Sequence, residues 1–302
     1  MTIEARTILG PAVAALVEAG IASARQDARL LLGFALGRES AVLPHEDLGG
    51  WTDDLDRLFQ TYVARRAAGE PVSRVRGWRE FWSLKFELCA ATLDPRPDSE
   101  ILVECAVAFG MGRLADGRSR GLRILDMGTG SGCLLLACLS ELPSATGLGV
   151  DINPDAIDMA RHNARALGLG KRATFAVADF TASMEWLGYF DIILSNPPYI
   201  PSAQIATLSS EVAVYDPLLA LDGGHDGLDC WRCLIPEMAK LLSARGQIFV
   251  EIGDGQGADV MAFATAAGLS SGGIFADLSG KERCLVFSGG SDHEITAKMP
   301  NT

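Results

Sequence analysis

Short apolar runs alternate with helical segments beyond residue 98, and this alternation constrains the fold more than any other feature. The strand-like runs are Arg123–Asp126, Gly147–Asp151, Ala173–Asp179, Phe190–Ser195, Gln247–Ile252 and Arg283–Phe287. Between the second and third runs, Asn153 followed by Pro154 is a typical helix start. Such alternation is typical of a mainly parallel sheet with helices on both faces, so we predict an α/β fold.

The first 70 residues have helical spacing instead. Apolar stripes begin near Val13, Leu30 and Leu55, and Gly69 with Pro71 ends the pattern. A strand-like alternation follows around Leu84 to Leu88. We therefore predict a helical domain over residues 1–71, a hairpin-like connector over 72–92, an α/β domain over 93–290 and a disordered tail over 291–302.

Composition narrows the class of partner. The chain has 302 residues, a formal net charge of -12 and 48% hydrophobic residues. No apolar run reaches the roughly 18 residues that span a bilayer, and charges interrupt the first 30 residues too evenly for a secretory signal. The negative net charge disfavours binding to the phosphate backbone of a nucleic acid. We expect a cytoplasmic monomer without a membrane partner or a direct nucleic-acid partner.

Cysteine usage indicates a reducing compartment. The seven cysteines are an odd number and lie mostly in apolar stretches, so we predict reduced core residues. Cys230 and Cys233 form one isolated Cys-x-x-Cys pair with no second pair. Their spacing places them on one helix face rather than in a zinc site, and we predict no metal.

A glycine-rich loop follows the first predicted strand of the α/β domain. Gly128, Thr129, Gly130, Ser131 and Gly132 lie between that strand and an apolar helix beginning at Cys133. Glycines allow a tight turn and a close approach of the backbone to a ligand, and the helix N-terminus favours an anionic group. A loop of this kind suits NAD and S-adenosylmethionine almost equally well.

Acidic residues at two further strand ends complete a candidate nucleoside site. Asp151 ends the second predicted strand, where a carboxylate can accept both hydroxyls of a ribose. Asp179 and Phe180 end the third, where they could contact an adenine edge and face. Asp126, just before the glycine loop, is expected to order that loop rather than to carry protons.

The fourth predicted strand ends in Asn196, Pro197, Pro198 and Tyr199. Prolines cannot continue a sheet and hold the preceding residue extended, so this segment is stiff and presents an amide beside an aromatic ring. Such a surface suits a planar nitrogen-bearing group. The segment looks like the signature of S-adenosylmethionine methyltransferases that modify base amines or the amide of glutamine.

Further segments resemble the release-factor glutamine methyltransferases, the PrmC/HemK family, from about residue 7 to 288. They are the run from Arg79 to Leu84, the run from Leu93 to Glu100, the stretch from Glu211 to Gly224, and Glu251-Ile252-Gly253 with Asp277-Leu278-Ser279-Gly280. Ser99 stands where threonine is usual and Asp94 where an apolar residue is common. We expect neither departure to touch the chemistry.

The resemblance implies a class I S-adenosylmethionine-dependent methyltransferase fold, Rossmann-like with seven strands, behind a small all-α domain. It implies methylation of the glutamine amide in the Gly-Gly-Gln motif of peptide chain release factors. Cofactor contacts are then expected at Gly128, Thr129, Gly130, Ser131, Gly132, Asp151, Asp179, Phe180 and Asn196. Substrate contacts are expected at Asn196, Pro197, Pro198 and Tyr199, with Asn196, Pro197 and Tyr199 catalytic.

Three alternatives stay open at this point. The chain could methylate a glutamine of a ribosomal protein with the same chemistry, or the exocyclic amines of adenine or guanine in nucleic acid. It could also be a non-catalytic binding module built on the helical region. The histidines His45, His162, His225 and His293 match no catalytic motif, so no general base is evident.

Overall fold

The apolar runs pair into one seven-stranded sheet in the computed structural model, which describes residues 3–115, 121–277 and 279–289. The strands are β1 (Ile3–Glu4), β2 (Asp47–Leu48), β3 (Trp78–Phe81), β4 (Leu84–Glu87), β5 (Arg123–Met127), β6 (Thr146–Asp151), β7 (Ala173–Val177), β8 (Phe190–Ser195), β9 (Leu242–Glu251), β10 (Leu269–Ala276) and β11 (Glu282–Gly289). The helices are α1 (Ala5–Glu18), α2 (Ala24–Ala35), α3 (Asp53–Ala67), α4 (Val72–Arg76), α5 (Glu100–Ala115), α6 (Cys133–Glu141), α7 (Pro154–Ala166), α8 (Ser202–Ile205), α9 (Ser210–Ala213), α10 (Asp229–Leu241) and α11 (Gly257–Ala266).

The sheet has the order β10-β11-β9-β8-β5-β6-β7. The five strands from β9 to β7 are parallel to their neighbours, while β11 runs antiparallel to both β9 and β10. Separate apolar clusters are built on the strand residues, one including Ile124 and Ile192 and the other Leu125 and Ile193. The predicted mainly parallel, seven-stranded α/β fold is confirmed.

Three strand predictions differ from the structure. β10 was missed because Ser270, Ser271 and two glycines interrupt its apolar pattern, and as an edge strand it is largely exposed. A register shift between Ser271 and Gly273 marks an irregularity there. β7 ends at Val177, two residues before the predicted end. β9 begins at Leu242 rather than Gln247.

The described residues form two compact units. One runs up to Trp78 and also includes Leu208–Tyr215, while the other comprises Arg79–Thr207 and the described residues after Tyr215. In the first unit, α1, α2 and α3 surround a buried cluster that includes Leu16, Leu31 and Phe59. α4, placed in the connector by the predicted boundary at residue 71, belongs to this unit. The predicted tail over 291–302 lies outside the described residues.

A buried arginine joins the segment Leu208–Tyr215 to the helical unit. Arg66 Nε lies 2.7 Å from Asp27 Oδ2, which also accepts from Ser23 Oγ at 2.7 Å. Arg66 Nη2 donates to Glu211 of α9, 145 positions away in the chain. The Arg66 side chain is 5% exposed, so both carboxylates compensate a charge that has lost most of its water.

The cysteine prediction is right in part. The seven cysteines are free thiols, and Cys105, Cys138 and Cys284 are buried as predicted. Cys233 is exposed, which the core prediction missed. It shares α10 with Cys230, in line with the expected i, i+3 spacing on one helix. No helix in the described ranges is long and apolar enough to cross a bilayer.

A buried carboxylate ties the end of β5 to the loop that follows. Asp126 is fully buried, and its Oδ2 accepts from Thr129 Oγ1 at 2.6 Å. Burial raises the pKa of Asp126 to about 7, because the charged form loses hydration that the hydroxyl donor does not replace in full. This geometry agrees with the expected role of ordering the glycine loop.

We predict that Arg66→Met destabilises the protein by about 3 kcal/mol, because Asp27 is left buried without its counter-charge. Urea unfolding followed by circular dichroism measures the change. Arg57→Met is the matched control, since Arg57 makes an exposed ion pair with Asp54 on the same helix. The control should stay within about 0.5 kcal/mol of the native chain. Equal effects of the two substitutions would contradict a structural role for the buried pair.

We predict that Asp126→Asn flattens the pH dependence of stability. The raised pKa means that the folded chain binds a proton more tightly than the unfolded chain does between about pH 4 and pH 7. The free energy of unfolding of the native chain therefore falls as pH rises through this window, by at most about 1.4 kcal/mol per pH unit from this group. Asparagine does not titrate and can still accept from Thr129.

The measurement is urea unfolding of both chains at pH 5.5 and pH 8. Relative to the native chain, the variant should gain stability on going from the lower to the higher pH. The exposed Asp155→Asn serves as the control and should show no comparable gain. Parallel pH profiles for the native chain and Asp126→Asn would refute the assignment.

Candidate active site

The glycine loop and the Asn-Pro-Pro-Tyr segment begin side by side at one edge of the sheet. β5 and β8 pair in parallel with Met127 opposite Ser195, so the residues that follow them leave the sheet together. Ser195 Oγ donates to the Met127 carbonyl at 2.7 Å and holds the two strand ends in register. The strand order reverses between β5 and β8, which is where open α/β sheets bind ligands.

Backbone hydrogen bonds shape the glycine loop. The amides of Gly128 and Thr129 both donate to the Val150 carbonyl at 2.9 Å, and the amide of Gly130 donates to Asp151 Oδ2 at 2.9 Å. Gly128 and Gly130 have φ values of +76° and +53°, which favour glycine. A Cβ added at either position would meet nothing within 4 Å, so the bare backbone borders open space.

Gly132 differs from the other loop residues. It precedes α6 at φ +83°, and a Cβ there would approach Ala160 Cβ at 3.3 Å. Gly128, Thr129, Gly130 and Ser131 line the cavity described below, whereas Gly132 is absent from its lining. Gly132 therefore serves close packing of the loop against α7.

Asp151 and Asp179 occupy neighbouring turns on the same rim. Asp151 Oδ1 accepts from the amide of Asn153 at 2.9 Å, and Oδ2 accepts from Gly130 as above. A carboxylate offers about four lone-pair sites, so both oxygens retain capacity for ribose hydroxyls. Asp179 accepts from the amide and hydroxyl of Thr181, and these hydrogen bonds lower its pKa.

A cavity of about 310 Å³ brings most of the predicted site residues together. Its walls include Gly128 to Ser131, Asp151, Asp179, Phe180, Asn196 and Pro198. The volume is at the lower end of the range for small-molecule sites. The bare loop, the carboxylate at Asp151 and the ring of Phe180 fit a nucleoside cofactor with a charged tail.

The two remaining residues of the proline motif do not line the cavity. Pro197 is buried and Tyr199 is half-buried. The Tyr199 hydroxyl donates to Glu251 Oε1 at 3.0 Å, and Gln256 Nε2 donates to the Tyr199 carbonyl at 3.0 Å. Burial and the adjacent Glu251 carboxylate raise the pKa of Tyr199, so the phenol stays protonated.

A backbone bridge holds the residue that follows the proline motif. Ile200 forms an isolated parallel bridge with Asp222, its amide donating to Leu221 and its carbonyl accepting from Gly223. A Cβ at Gly223 would lie 2.8 Å from the Tyr199 Cα, so only glycine permits this approach. The Gly-Gly pair at 223 and 224, noted above only as part of a resemblance, therefore has a packing role.

Ser99 corrects one expectation. We expected this residue to lie away from the chemistry, yet it lines the cavity and its Oγ accepts from Asn196 Nδ2 at 3.3 Å. Ser99 Oγ donates in turn to Glu251 Oε2. Glu251 is 2% exposed, and this burial raises its pKa. Asp94, the other departure from the family pattern, is buried and does not line the cavity.

Sequence reasoning missed two segments of the wall. One precedes α5 and contributes Ala91, Leu93, Pro95 and Arg96, while the other follows the proline motif and contributes Pro217, Leu219 and Ala220. Arg96 and Asp216, one from each segment, form an ion pair. Both segments carried motifs of the resemblance, and that signal could have assigned them to the site. None of the histidines in the described ranges lines the cavity.

Comparisons with known proteins identify the domains of this chain and its relatives. A model described as the PrmC N-terminal domain matches residues 7–77, and one described as a methyltransferase domain matches residues 118–267. The release factor glutamine methyltransferase of Rhodospirillum rubrum is 49% identical over 268 residues, covering 89% of this chain and 80% of that protein. Its counterpart in Bradyrhizobium diazoefficiens is 45% identical, covering 85% and 84%.

Among solved structures, the catalytic domain of hMettl16 in complex with the MAT2A 3′UTR hairpin 6 superposes with a TM-score of 0.55. It is 16% identical and covers 84% of this chain and 87% of that one, so the likeness concerns the fold alone. The methyltransferase match decides between the two cofactors that the glycine loop left open, in favour of S-adenosylmethionine. With both domains matched and a relative 49% identical over most of its length, the chain belongs to the release factor glutamine methyltransferase family.

Proposed function

We propose that this protein transfers a methyl group from S-adenosylmethionine to the glutamine amide nitrogen in the Gly-Gly-Gln motif of peptide chain release factors. The observation that carries the proposal is the cavity in which Asn196 and Pro198 share a wall with the glycine loop and Asp151. The names of the relatives supply the substrate, since they are described as release factor glutamine methyltransferases.

The cofactor would be held by residues already in place. Asp151 offers acceptors to a ribose, Phe180 an apolar face to a base, and the loop from Gly128 to Ser131 a bare backbone. Asp179 also lines the cavity. When bound, S-adenosylmethionine supplies a methyl group already activated by its sulfonium, so the protein must mainly position the acceptor.

Positioning the glutamine amide is the task of the proline motif. The nitrogen of the glutamine amide is a weak nucleophile because its lone pair is delocalised into the carbonyl. In the proposal, the Asn196 side-chain oxygen and the Pro197 carbonyl accept its two N–H groups, which draws electron density onto the nitrogen. Tyr199 would pack against the amide plane, and its hydrogen bond to Glu251 limits the positions of its ring.

Alignment of the reacting groups should contribute more to the rate than the strength of the individual hydrogen bonds. A single hydrogen bond contributes about 0.5–1.5 kcal/mol net. Alignment of two reacting groups can lower a barrier by roughly 7–11 kcal/mol. The buried Pro197 and the β-bridge between Ile200 and Asp222 supply the rigidity that alignment needs.

The direct test uses labelled S-adenosylmethionine and a purified release factor. We expect label on the glutamine of the Gly-Gly-Gln motif, located by mass spectrometry of the digested factor. A factor with that glutamine replaced by glutamate is the control and should remain unlabelled. The same assay is run with ribosomal proteins and with RNA or DNA fragments, and label on one of these with none on the release factor would overturn the proposed substrate.

We predict that Asn196→Ala abolishes most methylation while cofactor binding falls less. The kcat should fall by about a hundredfold or more, because the substrate amide loses an acceptor needed for alignment. Calorimetry should give a Kd for S-adenosylmethionine within about threefold of the native value. Gln204→Ala, an exposed change on α8, is the control. Near-native turnover of Asn196→Ala would sink the assignment.

We predict the reverse pattern for Asp151→Asn. The Kd for S-adenosylmethionine should rise by about tenfold or more, because hydrogen bonds to a charged acceptor contribute roughly 1.5–3 kcal/mol. At saturating cofactor the kcat should recover most of its native value. Asp158→Asn, an exposed carboxylate on α7, is the control. An unchanged Kd would remove Asp151 from the binding site.

A further inference from the structure

A chain of hydrogen bonds connects Asn196, which lines the cavity, to the buried residues Ser99 and Glu251. Asn196 Nδ2 donates to Ser99 Oγ at 3.3 Å, Ser99 Oγ donates to Glu251 Oε2, and the Tyr199 hydroxyl donates to Glu251 Oε1 at 3.0 Å. Ser99 is 3% exposed and Glu251 is 2% exposed, so water competes little for these groups. The chain ends on Asn196, whose other neighbour is the cavity.

The direction of these hydrogen bonds follows from the number of protons available. A serine hydroxyl has one proton, and Ser99 gives it to the Glu251 carboxylate. Towards Asn196, Ser99 can therefore only accept. An asparagine amide has donors at one end and an acceptor at the other, so its NH₂ must face Ser99.

This direction depends on an ionised Glu251. An ionised carboxylate accepts from both hydroxyls at once, whereas a protonated one would have to donate to one of them. Burial and Asp98 raise the pKa of Glu251, while the hydrogen bonds from Ser99 and Tyr199 and the positive charge of Arg283 act in the opposite direction and favour the ionised form. Arg283 is itself held by Asp277, with 3.3 Å between Nε and Oδ2.

We propose that Ser99 and Glu251 are positioning residues that fix which end of the Asn196 amide faces the cavity. This inference rests on the proposed function and deepens it. With the NH₂ group held by Ser99, the Asn196 oxygen is presented to the cavity as an acceptor for an N–H of the substrate amide. A rotated Asn196 would present donors to donors, and the substrate nitrogen would lose its alignment.

The position of these residues in the fold supports the assignment. Glu251 ends β9, the strand next to β8, so its carboxylate lies at the same sheet edge as Asn196. Ser99 lies in the turn before α5 and reaches the same edge. Tyr199 is bound to Glu251 as well, and one carboxylate thus holds two residues of the proline motif.

The kinetic test compares Ser99→Ala, Ser99→Thr and Glu251→Gln. Ser99→Ala removes the acceptor, and its kcat for release-factor methylation should fall by about tenfold to a hundredfold. Ser99→Thr retains the hydroxyl and should keep the kcat within about threefold of the native value. The kcat of Glu251→Gln should also fall, because a glutamine amide has one acceptor oxygen and cannot accept from both Ser99 and Tyr199. The Kd for S-adenosylmethionine should change by less than about threefold in all three.

A second measurement does not depend on any substrate. The chain has four asparagines, Asn153, Asn163, Asn196 and Asn301, so asparagine labelled with ¹⁵N at the side chain gives a simple NMR spectrum. The Asn196 signal is assigned by its loss in Asn196→Ala. Its NH₂ protons should exchange slowly with solvent in the native chain and in Ser99→Thr, and faster in Ser99→Ala and Glu251→Gln.

The two measurements separate the inference from the proposed function. Slow exchange in Ser99→Ala, or native kcat in that variant, overturns the positioning role. A native chain that leaves the release factor unlabelled overturns the proposed function, while the NMR comparison still decides the orientation of Asn196. Loss of activity in Ser99→Thr equal to that in Ser99→Ala would indicate a packing effect and would also overturn the inference.

Discussion

The parallel pairing of β5 with β8 is the constraint on which the rest of the site depends. Met127 and Ser195 are register partners, so the glycine loop and the proline motif begin at neighbouring points of one sheet edge. Each loop alone is compatible with several functions. Their adjacency allows a donor held by one to meet an acceptor held by the other, and the buried apolar strands make that adjacency rigid.

Buried carboxylates near this sheet edge orient the side chains of the two loops. Asp126 accepts a hydrogen bond from Thr129 in the glycine loop, and Glu251 accepts from Tyr199 of the proline motif and from Ser99. Each carboxylate is buried and has a raised pKa, which costs stability. Both lie at the carboxyl end of a strand, where they contact the loops that form the cavity. The protein thus loses some stability at the positions where these carboxylates fix the geometry of the cavity.

Much of the fold was predictable because its signals are local. Phe190 to Ser195 is an uninterrupted apolar run before two prolines, and Asn153 with Pro154 forms the predicted N-cap, accepting from the amide of Asp155. β10 was missed because serine and glycine in an exposed edge strand leave no periodic pattern. Ser99 was misjudged because its partners, Asn196 and Glu251, lie 97 and 152 positions away.

By itself, the sequence indicated the fold class, the family resemblance and several of the residues that line the cavity, because periodicity and motifs are properties of the chain. Only the tertiary structure decided that Gly132 packs on α7 rather than lining the cavity, and that Leu208–Tyr215 joins the helical unit through Arg66. It also decided that Ser99 accepts from Asn196. These facts depend on which buried groups meet across long sequence separations, and a hydrogen bond acquires its direction only when every partner is in place.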